Sequence, residues 1–167
     1  MPSEFQFITE WHITAPLDAV YETITHCLDW PAWWKGVVNV EKLAPGNADG
    51  VGSVHRFTWQ GRIPYRFTFA MRVTGVAPLT FLEGCADGEV TGTGRWDFSR
   101  ENEITIVRYH WRVHTNRRWM NVIAPVAAPV LQWNHHQVMR QGAEGMARWL
   151  NAELKTFRAS AALVKTE

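Results

Sequence analysis

Cysteine is nearly missing from this chain: Cys27 and Cys85 are the only two in 167 residues. With no C-x-x-C pair and no histidine at ligand spacing, they exclude a zinc ribbon and a disulfide-rich scaffold. One disulfide between them stays open as an alternative, but the expectation is two free thiols in a reducing cytoplasm. An excess of charge is missing too. Seventeen Lys and Arg against sixteen Asp and Glu leave a net charge of +1, which gives no support for a nucleic-acid partner or for an anionic-membrane surface. No apolar run approaches the ~18 residues that cross a bilayer, and Met1 to Glu4 lacks the basic and apolar regions of a secretory signal. The sequence therefore predicts a cytoplasmic protein with no membrane span, and no feature specifies an oligomer.

The common chemical signatures are absent as well. There is no G-x-S-x-G, and neither cysteine has a base at a diagnostic position. Gly92-Thr93-Gly94 falls within a strand pattern rather than before a helix, which removes it as a phosphate loop. His135 and His136 diverge by about 100° on a helix, and His110 and His114 stand roughly 13 Å apart along a strand. Neither pair can readily share an ion, so no metal and no cofactor is expected.

What the chain has in abundance is tryptophan, ten residues spread over its whole length. Indoles supply large, rigid apolar area with a single donor, suited to an oversized core or to the walls of a pocket for an aromatic ligand. Between them the polarity alternates. Phe5 to Ile13 reads as a half-buried strand, and Leu17, Val20, Tyr21 and Ile24 as one face of a short helix. Pro31 opens a second short helix that ends at Gly36. Six strands follow between Val37 and Val113. The clearest is Tyr65 to Val76, where Tyr65, Phe67, Phe69, Met71 and Val73 face one way and Arg66 and Arg72 the other. Tyr109 and Trp111 share a face of the last strand, opposite Arg108 and Arg112. Gly92 and Gly94 predict a bend or bulge.

The last third carries the longest pattern. Leu131, Val138, Met139, Met146, Trp149, Leu150 and Leu154 recur at helical spacing, predicting an amphipathic helix from Pro129 to about Phe157, roughly 43 Å long. His135 interrupts its apolar stripe, and Gly142 and Gly145 open a gap in it. Just upstream, Trp119 to Ala124 predicts a short helix cut off at Pro125, and the piece from Trp119 to Ala128 reads either as a lid or as a buried corner. Residues after about Ala159 are expected to fray. Short connections imply antiparallel pairing, so the expected class is α+β: an antiparallel sheet of about seven strands covered by a long C-terminal helix, with two short helices after the first strand.

Three segments carry a family resemblance. Trp30-Pro31-Ala32-Trp33-Trp34-Lys35-Gly36-Val37 is similar to the post-helix segment of bacterial polyketide cyclase/dehydrase-type proteins. Leu82-Glu83-Gly84 through Gly92-Thr93-Gly94-Arg95-Trp96-Asp97-Phe98 resembles their central hairpin. Trp133-Asn134-His135 through Val138-Met139-Arg140, with Gly142 and Glu144-Gly145-Met146, resembles their C-terminal helix. The chain as a whole, from about Phe5 to Leu154, resembles the SRPBCC or START-like superfamily and its helix-grip fold. The resemblance implies one START-like ligand-binding domain over 1–167, with its core at about 5–157, a curved sheet wrapped around the long helix and a cavity between the two.

On that basis the expected function is binding of a small hydrophobic or aromatic molecule, lipid- or polyketide-like. The expected lining is Tyr65, Phe67, Phe69, Tyr109, Trp111, Trp119, Asn134, His135, Val138, Met139 and Met146. One alternative is a polyketide cyclase/dehydratase (aromatase-like) enzyme, in which His135 is the candidate catalytic group with a cavity tyrosine. An imidazole and a phenol can bind a carbonyl oxygen or move a proton beside one. The bland reading of His135 is a hydrogen-bonded core residue. A further alternative is a helper that binds a partner protein through an exposed apolar patch.

Overall fold

A computed structural model describes residues 3–165; the outer two residues at each end of the 1–167 span lie outside the described residues. The chain runs β1 (Ser3–Ile13), α1 (Leu17–Thr25), a single 3₁₀ turn, α2 (Trp30–Trp33), then β2 (Val37–Ala44), β3 (Val54–Trp59), β4 (Phe67–Ala77), β5 (Phe81–Gly88), β6 (Val90–Glu101) and β7 (Ile104–Thr115), and closes with α3 (Arg118–Trp149) and β8 (Leu154–Lys165). All eight strands form one antiparallel sheet in the order β2-β3-β4-β5-β6-β7-β1-β8. The sheet wraps α3 in the helix-grip arrangement.

Period-2 alternation sets the faces. Phe5, Phe7, Thr9, Trp11 and Ile13 of β1 are buried, as are Thr105, Val107, Trp111, Val113 and Thr115 of β7. The pairing of Phe7 with Trp111 and Trp11 with Val107 puts these side chains on the concave face. Their neighbours face outward and pair across strands: Arg108 to Glu10 at 2.7 Å and Arg112 to Glu4 at 3.0 Å. The Arg108 and Arg112 row is thus a solvated convex face, where such pairs contribute little. Six of the ten tryptophans are buried. Trp30 is the hub of their cluster, its ring touching those of Trp33, Trp34, Phe57, Trp59 and Trp96.

The last third differs from the sequence-based expectation at both ends. α3 begins at Arg118, eleven residues before Pro129, and runs through Pro125 and Pro129 without a break. Each proline removes one backbone donor and crowds the preceding turn. Both are exposed, on the side where water can serve the carbonyl groups left over. There is consequently no separate short helix at Trp119–Ala124 and no proline-bounded lid. At the other end α3 stops at Trp149, not near Phe157. Asn151 takes a left-handed conformation with φ of 50°, and the chain turns into an eighth strand where fraying was expected. Phe157, Ala159, Ala161 and Leu163 are half-buried on one face of β8, while Arg158, Ser160, Ala162 and Val164 are exposed on the other. Leu154 and Phe157 therefore belong to the sheet and pack on the core from there. Thr14, after β1, exchanges hydrogen bonds with Glu153 at 2.9 and 3.0 Å and fixes this turn.

Gly92 and Gly94 mark no bulge. The ladder passes through both without a register shift, Gly94 opposite Gly84 on one side and Trp111 on the other.

Candidate functional site

The C-terminal half of α3 is packed solid. The Trp34 indole lies against Gly142, where a Cβ would come within 2.4 Å of the ring, and a Cβ on Gly145 would come within 2.0 Å of the Trp33 carbonyl oxygen. Trp34 Nε1 donates to the Val138 carbonyl at 2.8 Å. The two helical glycines thus admit α2 and its tryptophans to the helix. Ala143 and Met146 are fully buried in the same cluster. Met146, expected to meet ligand, is a core residue and does not line the cavity.

Further toward the start of α3 the helix and sheet diverge around a cavity of about 400 Å³. From the helix, Met120, Leu131, His135, Val138 and Met139 face it; from the sheet, Phe5, Phe7, Phe57, Trp59, Phe67, Phe69, Trp96, Tyr109 and Trp111. The aromatic wall is continuous: Trp59 stacks on Phe69, Phe69 contacts Trp111, and Tyr109 stacks between Trp111 and Trp96. Gly94 makes room for this stack, since a Cβ there would sit 2.7 Å from the Tyr109 hydroxyl. The lining reaches exposed Asp49 and Arg72, so the cavity meets solvent beside the β2–β3 turn rather than at the prolines of α3.

Within this apolar wall a few polar atoms stand out. His135 stacks face to face on Phe7, with centroids 3.8 Å apart, and its Nδ1 is buried without a hydrogen-bond partner. Burial, helped by the neighbouring His136, pushes its pKa down to about 3, so the ring is neutral at physiological pH. Trp59 Nε1 is likewise buried and unpartnered. Burial raises the Tyr109 pKa. Cys27 also borders the cavity; both cysteines are free, and burial pushes the Cys27 thiol up to about 11, which leaves it unreactive.

Of the expected lining residues, Phe67, Phe69, Tyr109, Trp111, Asn134, His135, Val138 and Met139 come together around this space. Asn134 also acts as a fastener. Its Oδ1 accepts the backbone N–H groups of Arg62 at 2.8 Å and Ile63 at 3.1 Å, tying the β3–β4 loop to α3. Tyr65 and Trp119 stand outside the wall. They contact each other edge to face, and the Tyr65 hydroxyl donates to Glu89 Oε1 at 2.7 Å. Arg117 donates to the same carboxylate oxygen and Thr68 N–H to the other, a knot that pins the start of α3. Sequence reasoning passed over Trp59 and Leu131. Both signals were present, Trp59 alternating with His55 and Phe57 on one strand face, and Leu131 one helical turn before His135.

No family model matches the chain, and no curated protein is recognisably similar to it in sequence. Solved structures do match it in shape. The Zhui aromatase/cyclase from Streptomyces sp. R1128 superposes with a TM-score of 0.71 at 15% identity, over 88% of this chain and 94% of that one. A START superfamily protein from Mycobacterium smegmatis gives 0.70 at 13% identity, over 87% and 97%. The di-domain ARO/CYC BexL of the BE-7585A biosynthetic pathway gives 0.69 at 20% identity; there the match takes in 90% of this chain and 51% of that chain, about half its length. At such identities the likeness establishes the fold. The chain has the START-like, helix-grip fold.

Proposed function

We propose that this chain is a cytoplasmic binding protein, one START-like domain that holds a small hydrophobic or aromatic molecule between its sheet and α3. The observation that carries the reading is the cavity itself: about 400 Å³, walled by aromatic rings, within the ~300–1,000 Å³ range of small-molecule sites. Buried donors and acceptors without partners are uncommon in folded proteins. His135 Nδ1 and Trp59 Nε1 are two of them, one on the helix and one on the sheet side of this space, and Tyr109 also lines it. They favour a ligand that carries one or two oxygen atoms on an otherwise apolar, flat skeleton, which includes polyketide-like and lipid-like molecules.

The alternative, a cyclase or dehydratase using His135 and Tyr109, has less support. A general base works best with a pKa near the operating pH. An imidazole held at about 3 is a weak base, and a phenol with a raised pKa is a weak acid. Both still suit hydrogen bonding to a carbonyl oxygen. The test is titration with a panel of hydroxylated aromatics, flat polyketide-like ketones and fatty acids, followed by tryptophan fluorescence and melting temperature. Leu131→Trp, which fills the cavity, is expected to abolish the response while the protein stays folded. No shift with any compound, or binding unaffected by Leu131→Trp, refutes the reading; turnover of a poly-β-keto substrate that His135→Phe abolishes favours the enzyme instead.

A further inference from the structure

The outward side of α3 breaks the rule that a helix turns its polar face to water. Val122 is 78% exposed, Val126 87% and Val130 55%, and Ile123 lies beside them. Trp119 at 49% and Trp133 at 48% close the stripe at its two ends. The spacing of i, i+3, i+4, i+7, i+11 and i+14 places all six on one helical face. Exposed Pro125 and Pro129 extend it. Soluble proteins leave such a contiguous apolar patch uncovered mainly where something docks.

The charges around the stripe indicate what docks. Not one Asp or Glu occurs from residue 104 to residue 143. The base at the edge is Arg118, one residue from Trp119; Arg140, further along the helix, is paired with Glu144. The β3–β4 loop, fastened through Asn134 beside Trp133 and through Tyr65 against Trp119, adds exposed Arg62 and Arg66. Glu89, the nearest acid on that side, is already neutralised by Arg117. Arg62 and Arg118 have no ion-pair partner among the described residues.

We infer that the outer face of α3 docks on an anionic lipid surface, with the aliphatic stripe at the acyl boundary and the arginines among the headgroups. Tryptophans at both ends of an aliphatic segment fit this arrangement, because indole favours the interface between apolar and aqueous regions. Helices that lie in the interface combine an apolar face of this kind with basic flanks. No helix among the described residues is long and apolar enough to cross a membrane, so the contact is with the surface. A second copy of the chain fits less well: a two-fold contact across this face would bring Arg62 and Arg118 of the two copies together with no carboxylate between Trp119 and Trp133 to answer them. The inference does not depend on the cavity being occupied.

The experiment is co-sedimentation with vesicles of phosphatidylcholine, with and without phosphatidylglycerol, with no small ligand present. The protein is expected to partition onto the phosphatidylglycerol vesicles and to be released by salt. Val122→Ser with Val126→Ser is expected to lower partitioning about tenfold, and Arg62→Gln or Arg118→Gln roughly fivefold each. None of these side chains lines the cavity, so small-molecule binding and melting temperature are expected to stay as in the parent protein. Absence of partitioning, partitioning unmoved by the substitutions, or a dimer in sedimentation that Val122→Ser with Val126→Ser dissolves overturns the inference. Failure of the cavity reading would show separately, as loss of the small-molecule response with vesicle binding intact.

Discussion

Replacing His135 by Phe keeps a flat ring stacked on Phe7 and removes the buried imidazole. In the folded protein His135 holds its pKa near 3, against an ordinary value of 6.5. The sign follows from proton uptake. Above about pH 6.5 neither state is protonated and the histidine has no effect on the pH dependence of stability. Below it the unfolded chain takes up a proton that the folded protein refuses, so stability falls as pH falls, down toward pH 3. By about pH 5 the thermodynamic difference is roughly 2 kcal/mol, and water reaching the ring through the cavity trims it to about 1–2 kcal/mol. His55 and His136 also have lowered pKa values, both through burial first, and add slope of the same sign; they are present in both proteins and cancel in the comparison. Glu4, Glu10 and Glu89 have lowered pKa values too, but their contribution is lost only below about pH 4.5, outside this window. The assay is urea unfolding followed by tryptophan fluorescence at about pH 7.5 and about pH 5. His135→Phe is expected to lose about 1–2 kcal/mol less than the parent protein between the two pH values. Equal losses would refute the reasoning and mean that His135 is charged or solvated in the native state.

Other substitutions probe how α3 is seated. Gly145→Ala drives a methyl into the Trp33 carbonyl and is expected to cost about 1–3 kcal/mol in urea unfolding; a neutral result would show that α2 can back away from the helix. Trp34→Phe removes the indole that donates to the Val138 carbonyl and opens space in the tryptophan cluster; it is expected to destabilise by about 1–3 kcal/mol, measured the same way. Asn134→Ala frees the β3–β4 loop, so the Arg62 and Ile63 amides are expected to exchange with deuterium faster while the amides of β6 and β7 keep their protection; unchanged exchange at both sites would show that the loop is held by other contacts.

The sheet was legible because its strands alternate cleanly. Phe67 and Phe69 against Arg66, or Tyr109 and Trp111 against Arg108 and Arg112, leave only one facing that buries aromatics and solvates guanidinium groups. The facing of His135 was legible for the same reason, from a stripe that continues through Val138 and Met139. The ends of α3 were not. Leu150 and Leu154 continue the helical spacing of Met146, and nothing local weighs against it except Asn151, whose left-handed turn becomes visible only in the structure. The strand signal beyond it runs through Ala159 and Ala161, side chains too small to register as a buried face. At the other end, proline spacing argues for a break, and it takes the full tertiary packing of Met120, Ala124 and Ala128 to hold the helix together across it. The roles of Gly142 and Asn134 depend on partners about 100 and 70 residues away, which no local pattern encodes.

The order of strands has a consequence for synthesis. β1 is made first, yet its two neighbours, β7 and β8, are made last. Until residue 104 has been translated, Phe5, Phe7 and Trp11 have no strand to pair beside, and until residue 154 one edge of β1 remains bare. Sheets closed by such distant partners fold slowly and leave apolar strands uncovered in the meantime. A nascent chain halted within α3 would carry a nearly complete meander from β2 to β7, with β1 docked on one side only. Its unpaired edge would be the natural place for a trigger-type chaperone, or for another unfinished chain, to bind.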